Sequence, residues 1–156
     1  DPKMGNSQEY ANVIKSDMNL ITTIDLDHQS FLGNSVEEIA QTKMRATDKK
    51  MIIGYQVHQE VYTSALEVKK QIKEKRDIDI EILKVDDFDK YLFNNNIASY
   101  LKRNLHLVIR CLEELNINID LKLFEDVKLF GRCQKIASNI TIDVGHNPLA
   151  AKALVN

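Results

Sequence analysis

Short apolar runs alternate with amphipathic stretches through the first half of the chain. Residues 18–24 are β-rich and mostly apolar, which predicts a buried strand, and residues 51–55 predict a second, short strand. The period-two alternation of residues 78–82 predicts a half-exposed third strand. The intervening stretches predict a helix over residues 35–46 and a longer charged helix over residues 57–75. This order of elements is typical of parallel crossover units, so we expect an α/β fold.

Two details support the predicted helices. Ser35 and Glu38 have the spacing of a capping box, in which both side chains bond to free N–H groups of the first helical turn. The longer helix is expected to bury one face, which contains Val57, Val61, Ala65, Val68 and Ile72.

The second half of the chain is more helical. Residues 97–115 predict a long helix, residues 121–127 a short one, and residues 131–136 and 139–142 two further strands. The aspartate pair at 86–87 and the asparagine run at 94–96 predict loops. The apolar stripe of the long helix is expected to contain Tyr100, Leu101, Leu105, Val108, Ile109 and Leu112.

Composition excludes several classes of protein. The chain is 44% hydrophobic and 28% charged with a net charge of −2, whereas a general nucleic-acid binder is normally strongly basic. No apolar run approaches the roughly 20 residues that a membrane span needs. Cys111 and Cys133 lie far apart, so we expect two reduced thiols in a cytoplasmic protein. We also expect a monomer that binds neither nucleic acid nor membrane.

Residues 143–148 are the most informative stretch, because an acid, an imidazole and an amide follow a predicted strand and precede a predicted helix. Ligand groups of α/β proteins lie at such carboxyl ends of strands. Asn147 suits the cap of the helix and Pro148 its first turn. A capped helix alone explains these two residues, but it does not explain why Asp143 and His146 accompany them.

Four other polar residues have both an ordinary and a functional interpretation. His28 follows the first strand and is either a surface histidine or a metal ligand. Lys43, on the first predicted helix, is by itself a solvated charge. Asn104 lies in the long helix, where asparagine is unfavourable unless its side chain has a task. Arg132 follows Gly131 and is either a charge at a strand edge or a phosphate ligand.

Several of these motifs resemble the folylpolyglutamate synthase/dihydrofolate synthase family of the Mur ligase superfamily. Residues 143–148 match its D-x-x-H-N-P motif, and residues 24–33 are similar to its S-I-x-x-D-H-x-x-x-L-G motif. Residues 104–112 match the register of a family helix that begins with asparagine. Residues 131–134 resemble a Pro-Gly-Arg motif, although Phe130 replaces its proline.

The resemblance implies a role for each candidate residue. His28 would be a magnesium ligand, and Lys43 would be carbamylated, serving both as a metal ligand and as a catalytic residue with His146. Asn104, Arg132 and Asp143 would bind ATP. The family usually follows its lysine with Ala-Gly, whereas this chain has Met44 and Arg45, a bulkier pair whose cation could compete for the same site.

The resemblance also implies an activity and a domain organisation. We expect an ATP- and magnesium-dependent ligase that adds L-glutamate to dihydropteroate or folate. Residues 1–128 would form part of a central ATPase domain with a mainly parallel sheet, and residues 129–156 the first strand–helix unit of a Rossmann-like carboxyl-terminal domain. The sequence contains no Gly-x-x-x-x-Gly-Lys-Ser/Thr loop, so we expect a central fragment that is inactive alone. A peptidoglycan-precursor ligase and a non-catalytic remnant are the alternatives.

Overall fold

The computed structural model describes residues 16–27, 29–84, 98–124 and 130–155. Its contacts divide the chain into two compact units, Asp1–Val85 and Asp86–Asn156. The predicted loops at 86–87 and 94–96 lie outside the described residues. The domain boundary predicted at residues 128 and 129 concerns membership of a larger protein, not compactness within this chain, and it stays a prediction.

The first unit contains a three-stranded parallel sheet, as the sequence predicted. Strands β1 (Met18–Ile21), β2 (Lys50–Ile53) and β3 (Asp79–Ile82) lie side by side in that order. All three begin in register, with Met18 opposite Lys50 and Lys50 opposite Asp79. The carboxyl ends of the strands therefore meet at one edge of the sheet, and the α/β class is confirmed.

The helices of the first unit are α1 (Gln29–Leu32), α2 (Val36–Met44) and α3 (Glu60–Ile72). The short α1 was not predicted. The cap of α2 is confirmed, because the Glu38 N–H donates to Ser35 Oγ at 3.2 Å, but Glu38 Oε2 accepts the Asn34 N–H at 2.7 Å, one residue before the position that a capping box requires. The core between these helices and the sheet contains Ile21, Ile24, Ile39, Ala40, Met44, Met51, Ile53, Val61, Ala65, Val68 and Ile78.

The apolar face that the sequence predicts for the longer helix, α3, is confirmed for the middle of the helix and is wrong at its start. Val61, Ala65 and Val68 are buried, and Ile72 packs against the core while partly exposed. Val57 is 52% exposed and precedes the helix, which begins at Glu60. The chain is still leaving the sheet at Val57, so helical periodicity does not yet decide where its side chain points.

Gln56 joins the segments that follow β1 and β2. It is 5% exposed, and its Oε1 accepts the Ile24 N–H at 2.8 Å. Its Nε2 donates to the carbonyls of Thr22 at 3.0 Å and Gly54 at 3.2 Å. One amide side chain thus pairs three backbone groups that belong to no strand, which fixes the carboxyl edge of the sheet.

The second unit contains α4 (Ser99–Glu114), a 3-10 turn (Leu121–Phe124), an antiparallel hairpin and α5 (Pro148–Val155). The hairpin pairs β4 (Gln134–Ala137) with β5 (Ile140–Ile142), with an irregular register between Lys135 and Ala137. The predicted long helix, hairpin and final helix are present, although β4 begins at Gln134 instead of residue 131, and the described residues of the predicted short helix form a 3-10 turn. No helix within the described ranges is long and apolar enough to cross a membrane.

The buried face of α4 differs from the predicted stripe. Its buried residues are His106, Leu107 and Ile109, whereas Val108 is 41% exposed. His106 is only 4% exposed. The periodicity gives the width of an apolar stripe, but the neighbours in the fold decide which edge of the stripe is covered.

We expect Gln56→Ala to lower the free energy of unfolding by about 2 kcal/mol, because it leaves the buried Ile24 N–H and two carbonyls without their partner. Chemical denaturation measures this change. Gln59→Ala is the matched control, since Gln59 is exposed and its side chain makes no capping bond to α3. Equal losses in the two variants would contradict a special role for Gln56.

Candidate functional site

Asp143 follows β5 directly and is the centre of a hydrogen-bond cluster in the second unit. Its Oδ2 accepts the Tyr100 hydroxyl at 2.6 Å and the Cys133 N–H at 2.7 Å. Its Oδ1 accepts the Gly145 N–H at 2.7 Å. These donors come from α4, from the turn before β4 and from the turn after β5, so one carboxylate joins three separate segments.

The electrostatics of Asp143 follow from these bonds. Its pKa is lowered from the usual 3.8, chiefly because the Tyr100 hydroxyl donates to it, with further contributions from the N–H groups of Cys133 and Gly145 and from the charge of Arg132. The pKa of Tyr100 is raised, first by burial and then by its bond to Asp143. At neutral pH the carboxylate is therefore ionised and the hydroxyl keeps its proton.

The turn before β4 has an unusual backbone. Gly131 and Cys133 have positive φ angles of 70° and 45°. The Gly131 carbonyl accepts the Val144 N–H at 2.7 Å, and a Cβ at position 131 would lie only 2.8 Å from Val144 Cγ1. The glycine thus lets this turn lie against the segment after β5, and the side chain of Arg132 at its tip is exposed.

Gly145 lets α5 lie close to the carboxylate. A Cβ at this position would lie 2.8 Å from the Cβ of Ala150 and 3.0 Å from Asp143 Oδ1. Any side chain here would therefore clash with α5 and crowd Oδ1. The glycine allows the turn after β5 to pass between the carboxylate and the helix.

The end of the signature stretch begins α5 as predicted. Asn147 Oδ1 accepts the Ala150 N–H at 2.8 Å, which is the bond of an N-terminal cap, and Pro148 is the first helical residue. His146 is exposed, with its Nδ1 3.1 Å from the Val144 carbonyl oxygen. The predicted cap is confirmed, whereas the catalytic role of His146 stays a prediction.

Asn104 is exposed on α4, one turn after Tyr100. Residues four apart lie on the same face of a helix, about 6 Å apart along its axis. Tyr100 contacts Asp143, which in turn accepts the N–H of Cys133, the neighbour of Arg132. Asn104 therefore shares a helix face with Tyr100, and Arg132 is adjacent in sequence to a residue that is bonded to Asp143.

The predicted metal residues lie in the first unit. His28 falls outside the described residues. Lys43 is exposed in the last turn of α2, and its carbonyl accepts the Asn19 Nδ2–H at 3.2 Å. The Arg45 side chain is bonded to two glutamines, because its Nη2 donates to Gln41 Oε1 at 2.8 Å and to Gln71 Oε1 at 3.0 Å. Met44 is fully buried in the core.

One pair of residues at the carboxyl edge of the sheet was not singled out from the sequence. His58 Nε2 lies 3.0 Å from Asp25 Oδ1, and both side chains are partly exposed. Asp25 follows β1 and His58 follows β2, and adjacent parallel strands bring such residues to the same edge. That topological argument could have found the pair. Across the described ranges, no three His, Cys, Asp or Glu side chains come together as a metal site.

Sequence comparisons relate the chain to folate-linked ligases. No protein-family model matches it. A dihydrofolate synthase/folylpolyglutamate synthase of Buchnera aphidicola subsp. Baizongia pistaciae is 27% identical over 97% of this chain and 39% of the relative. Its namesake from Buchnera aphidicola subsp. Acyrthosiphon pisum is 30% identical over 95% of this chain and 39% of the relative. The chain thus spans about 39% of the length of these relatives.

Solved structures agree. Helicobacter pylori folylpolyglutamate synthetase is 36% identical with a TM-score of 0.58, over 92% of this chain and 36% of that one. Two structures share the fold at lower identity. A folylpolyglutamate synthase complex with AMPPCP and folate has 17% identity, a TM-score of 0.67 and coverage of 92% and 42%. A bifunctional synthase with Mn, AMPPNP and L-glutamate bound has 19% identity, a TM-score of 0.62 and coverage of 92% and 38%.

The parallel sheet, the hairpin and the capped helix after Asp143 define a Mur-ligase-type α/β fold. The resemblance to the folylpolyglutamate synthase/dihydrofolate synthase family is confirmed: the chain is related along nearly its whole length to part of such a protein.

The acid titration of Asp143 is the first test of this cluster. Because the pKa of Asp143 is lower in the folded state, the ionised carboxylate stabilises the fold above pH 3.8, and this contribution is lost as the pH falls through the lowered value. We expect the amide signals of Cys133 and Gly145 to shift together with a midpoint below 3.8. Two-dimensional NMR measures the midpoint. Asp143→Asn should abolish this titration, and a wild-type midpoint at or above 3.8 would contradict the cluster.

Proposed function

We propose that the whole protein carrying this sequence is an ATP-dependent ligase that joins L-glutamate to dihydropteroate or folate. The observation that supports the proposal is the hydrogen-bond cluster around Asp143, which lies in the motif shared with the family and includes Cys133, the neighbour of Arg132. The relatives' names and the folate- and glutamate-bound structures support the choice of substrates.

The proposed reaction has two steps. A carboxylate oxygen of the pterin-linked substrate attacks the γ-phosphorus of ATP, and the bond to the bridging oxygen breaks, which gives an acyl phosphate and ADP. The amino group of glutamate then attacks the acyl carbon, phosphate leaves, and the nitrogen loses a proton as the amide forms. Positioning and charge stabilisation dominate such phosphoryl transfer.

The second unit supplies three complementary contacts to the nucleotide in this proposal. Arg132 is exposed at a turn and carries a planar cation suited to phosphate oxygens. Asp143 is ionised and acceptor-only, so it takes a ribose hydroxyl and repels phosphate. Asn104 has both a donor and an acceptor on α4 and is assigned to the base.

The assignment of magnesium depends on the first unit. We propose His28 and a carbamylated Lys43 as its ligands, and Lys43 and His146 as the catalytic residues. Lys43 is exposed, so carbon dioxide can reach its amine. Bound magnesium would neutralise phosphate charge.

Ligase assays of the full-length protein test the function. Wild-type protein should release ADP and phosphate only when ATP, magnesium, L-glutamate and a pterin-linked acid are all present. Arg132→Ala should raise KM for ATP roughly tenfold or more, since a charge-assisted hydrogen bond is lost. Lys135→Ala removes an exposed charge from the same hairpin and should leave KM unchanged. ATP turnover that does not depend on glutamate would contradict the ligase.

The metal ligands are tested by substitution and chemical rescue. His28→Ala should reduce turnover most at limiting magnesium, because a neutral imidazole ligand is lost. Lys43→Ala should be inactive and regain part of its activity with short carboxylates, which replace the carbamate. Lys70→Ala, at an exposed lysine of α3, should be active and insensitive to carboxylates. An unmodified Lys43 in a nucleotide-bound crystal structure would contradict carbamylation.

A further inference from the structure

We propose that Tyr100 is a positioning residue of the nucleotide site, which holds one oxygen of Asp143 and so presents the other to a ribose hydroxyl in a fixed direction. The inference rests on the proposed function, because it takes Asp143 to face a bound nucleotide. Tyr100 itself does not contact the nucleotide in this proposal.

The number of acceptor positions on Asp143 carries the first step. An ionised carboxylate has about four lone-pair positions, two on each oxygen. Oδ2 already accepts two bonds, from the Tyr100 hydroxyl and the Cys133 N–H. Oδ1 accepts one, from the Gly145 N–H. Within the described part of the chain, a single position on Oδ1 is left, and Asp143 is partly exposed.

Tyr100 differs from the other two donors in its place in the fold. Cys133 and Gly145 belong to the two turns that flank the hairpin, so their N–H groups move with it. Tyr100 belongs to α4, the helix that carries Asn104 one turn later. The 2.6 Å bond from its hydroxyl therefore fixes the carboxylate relative to the helix. Without it, the plane of the carboxylate is held from the hairpin side alone.

The chemistry of Oδ1 selects the group that it binds. An ionised carboxylate accepts hydrogen bonds and donates none, so its ligand must bring a hydroxyl or an amine. Arg132 is the neighbour of Cys133 and takes phosphate in the proposed function. In ATP the ribose is bonded directly to the phosphate chain, whereas the adenine is attached only through the ribose. With the phosphates on Arg132, we therefore expect the ribose hydroxyls to lie nearer to Asp143 than the amino group of adenine.

Binding measurements with analogues of ATP test this inference on the full-length protein. We compare the Kd of ATP with those of 2′-deoxy-ATP and 3′-deoxy-ATP. For the wild type, the analogue that lacks the bonded hydroxyl should bind about tenfold more weakly than ATP, because one charge-assisted hydrogen bond is lost. Tyr100→Phe keeps the ring and removes only the hydroxyl. This variant should reduce the preference to about threefold or less, because a loosely held carboxylate aligns less well with the hydroxyl.

Tyr62→Phe is the matched control. Its hydroxyl accepts the Gln56 N–H at 3.0 Å in the first unit, so the substitution also deletes one hydroxyl bond. We expect this variant to keep the tenfold preference of the wild type even if its stability falls. Circular dichroism and the amide signals of Cys133 and Gly145 establish that Tyr100→Phe is folded.

The outcomes separate the positioning role from the proposed function. If wild type prefers ATP over the deoxy analogues and Tyr100→Phe retains that preference, the role of Tyr100 is overturned while nucleotide binding stands. If wild type binds the deoxy analogues as well as ATP but rejects inosine triphosphate, Asp143 reads the adenine amino group and the inference is also overturned. Failure of wild type to bind ATP would overturn the proposed function together with it.

Discussion

The second unit depends on keeping one carboxylate ionised while it is partly enclosed. Asp143 meets this condition because three donors from three segments surround it, and a buried charge without such partners would be costly. The same bonds fix the geometry of the hairpin. Cys133 adopts a left-handed backbone conformation that is unfavourable for a residue with a side chain, and its N–H is the group that Asp143 accepts. The hydrogen bond from the Cys133 N–H to the charged carboxylate thus offsets the unfavourable backbone conformation of Cys133.

The first unit solves a different problem at the carboxyl edge of its sheet. The chain leaves each strand there, and backbone groups that no longer pair within the sheet need other partners. Gln56 provides three of them, and Thr23 Oγ1 adds a bond to the Tyr55 carbonyl at 2.9 Å. The pair between Asp25 and His58 joins the same two segments further out. Hydrogen bonds thus join these two segments just before position 28 in the chain.

The sequence was most informative where a local rule is strong. The caps at Ser35 and Asn147 and the parallel order of strands all follow from short-range chemistry or from the spacing of elements. It was least informative where distant segments meet. Tyr100 was interpreted as part of an apolar stripe, because nothing near it in the sequence reveals that its hydroxyl reaches a carboxylate 43 positions away. Val57 and Val108 were misplaced for the same reason.

The pair Met44-Arg45 shows how two neighbouring residues can become necessary to the packing around them. Met44 is fully buried in the core, and Arg45 at the end of α2 donates to Gln41 of the same helix and to Gln71 of α3. Restoring the family's alanine at position 44 alone would open a cavity that costs about 2–5 kcal/mol. A glycine at position 45 would remove the side chain that bonds the end of α2 to Gln71 of α3. A chain with the smaller pair at these two positions would therefore need compensating changes in the core and in α3 to keep the same packing.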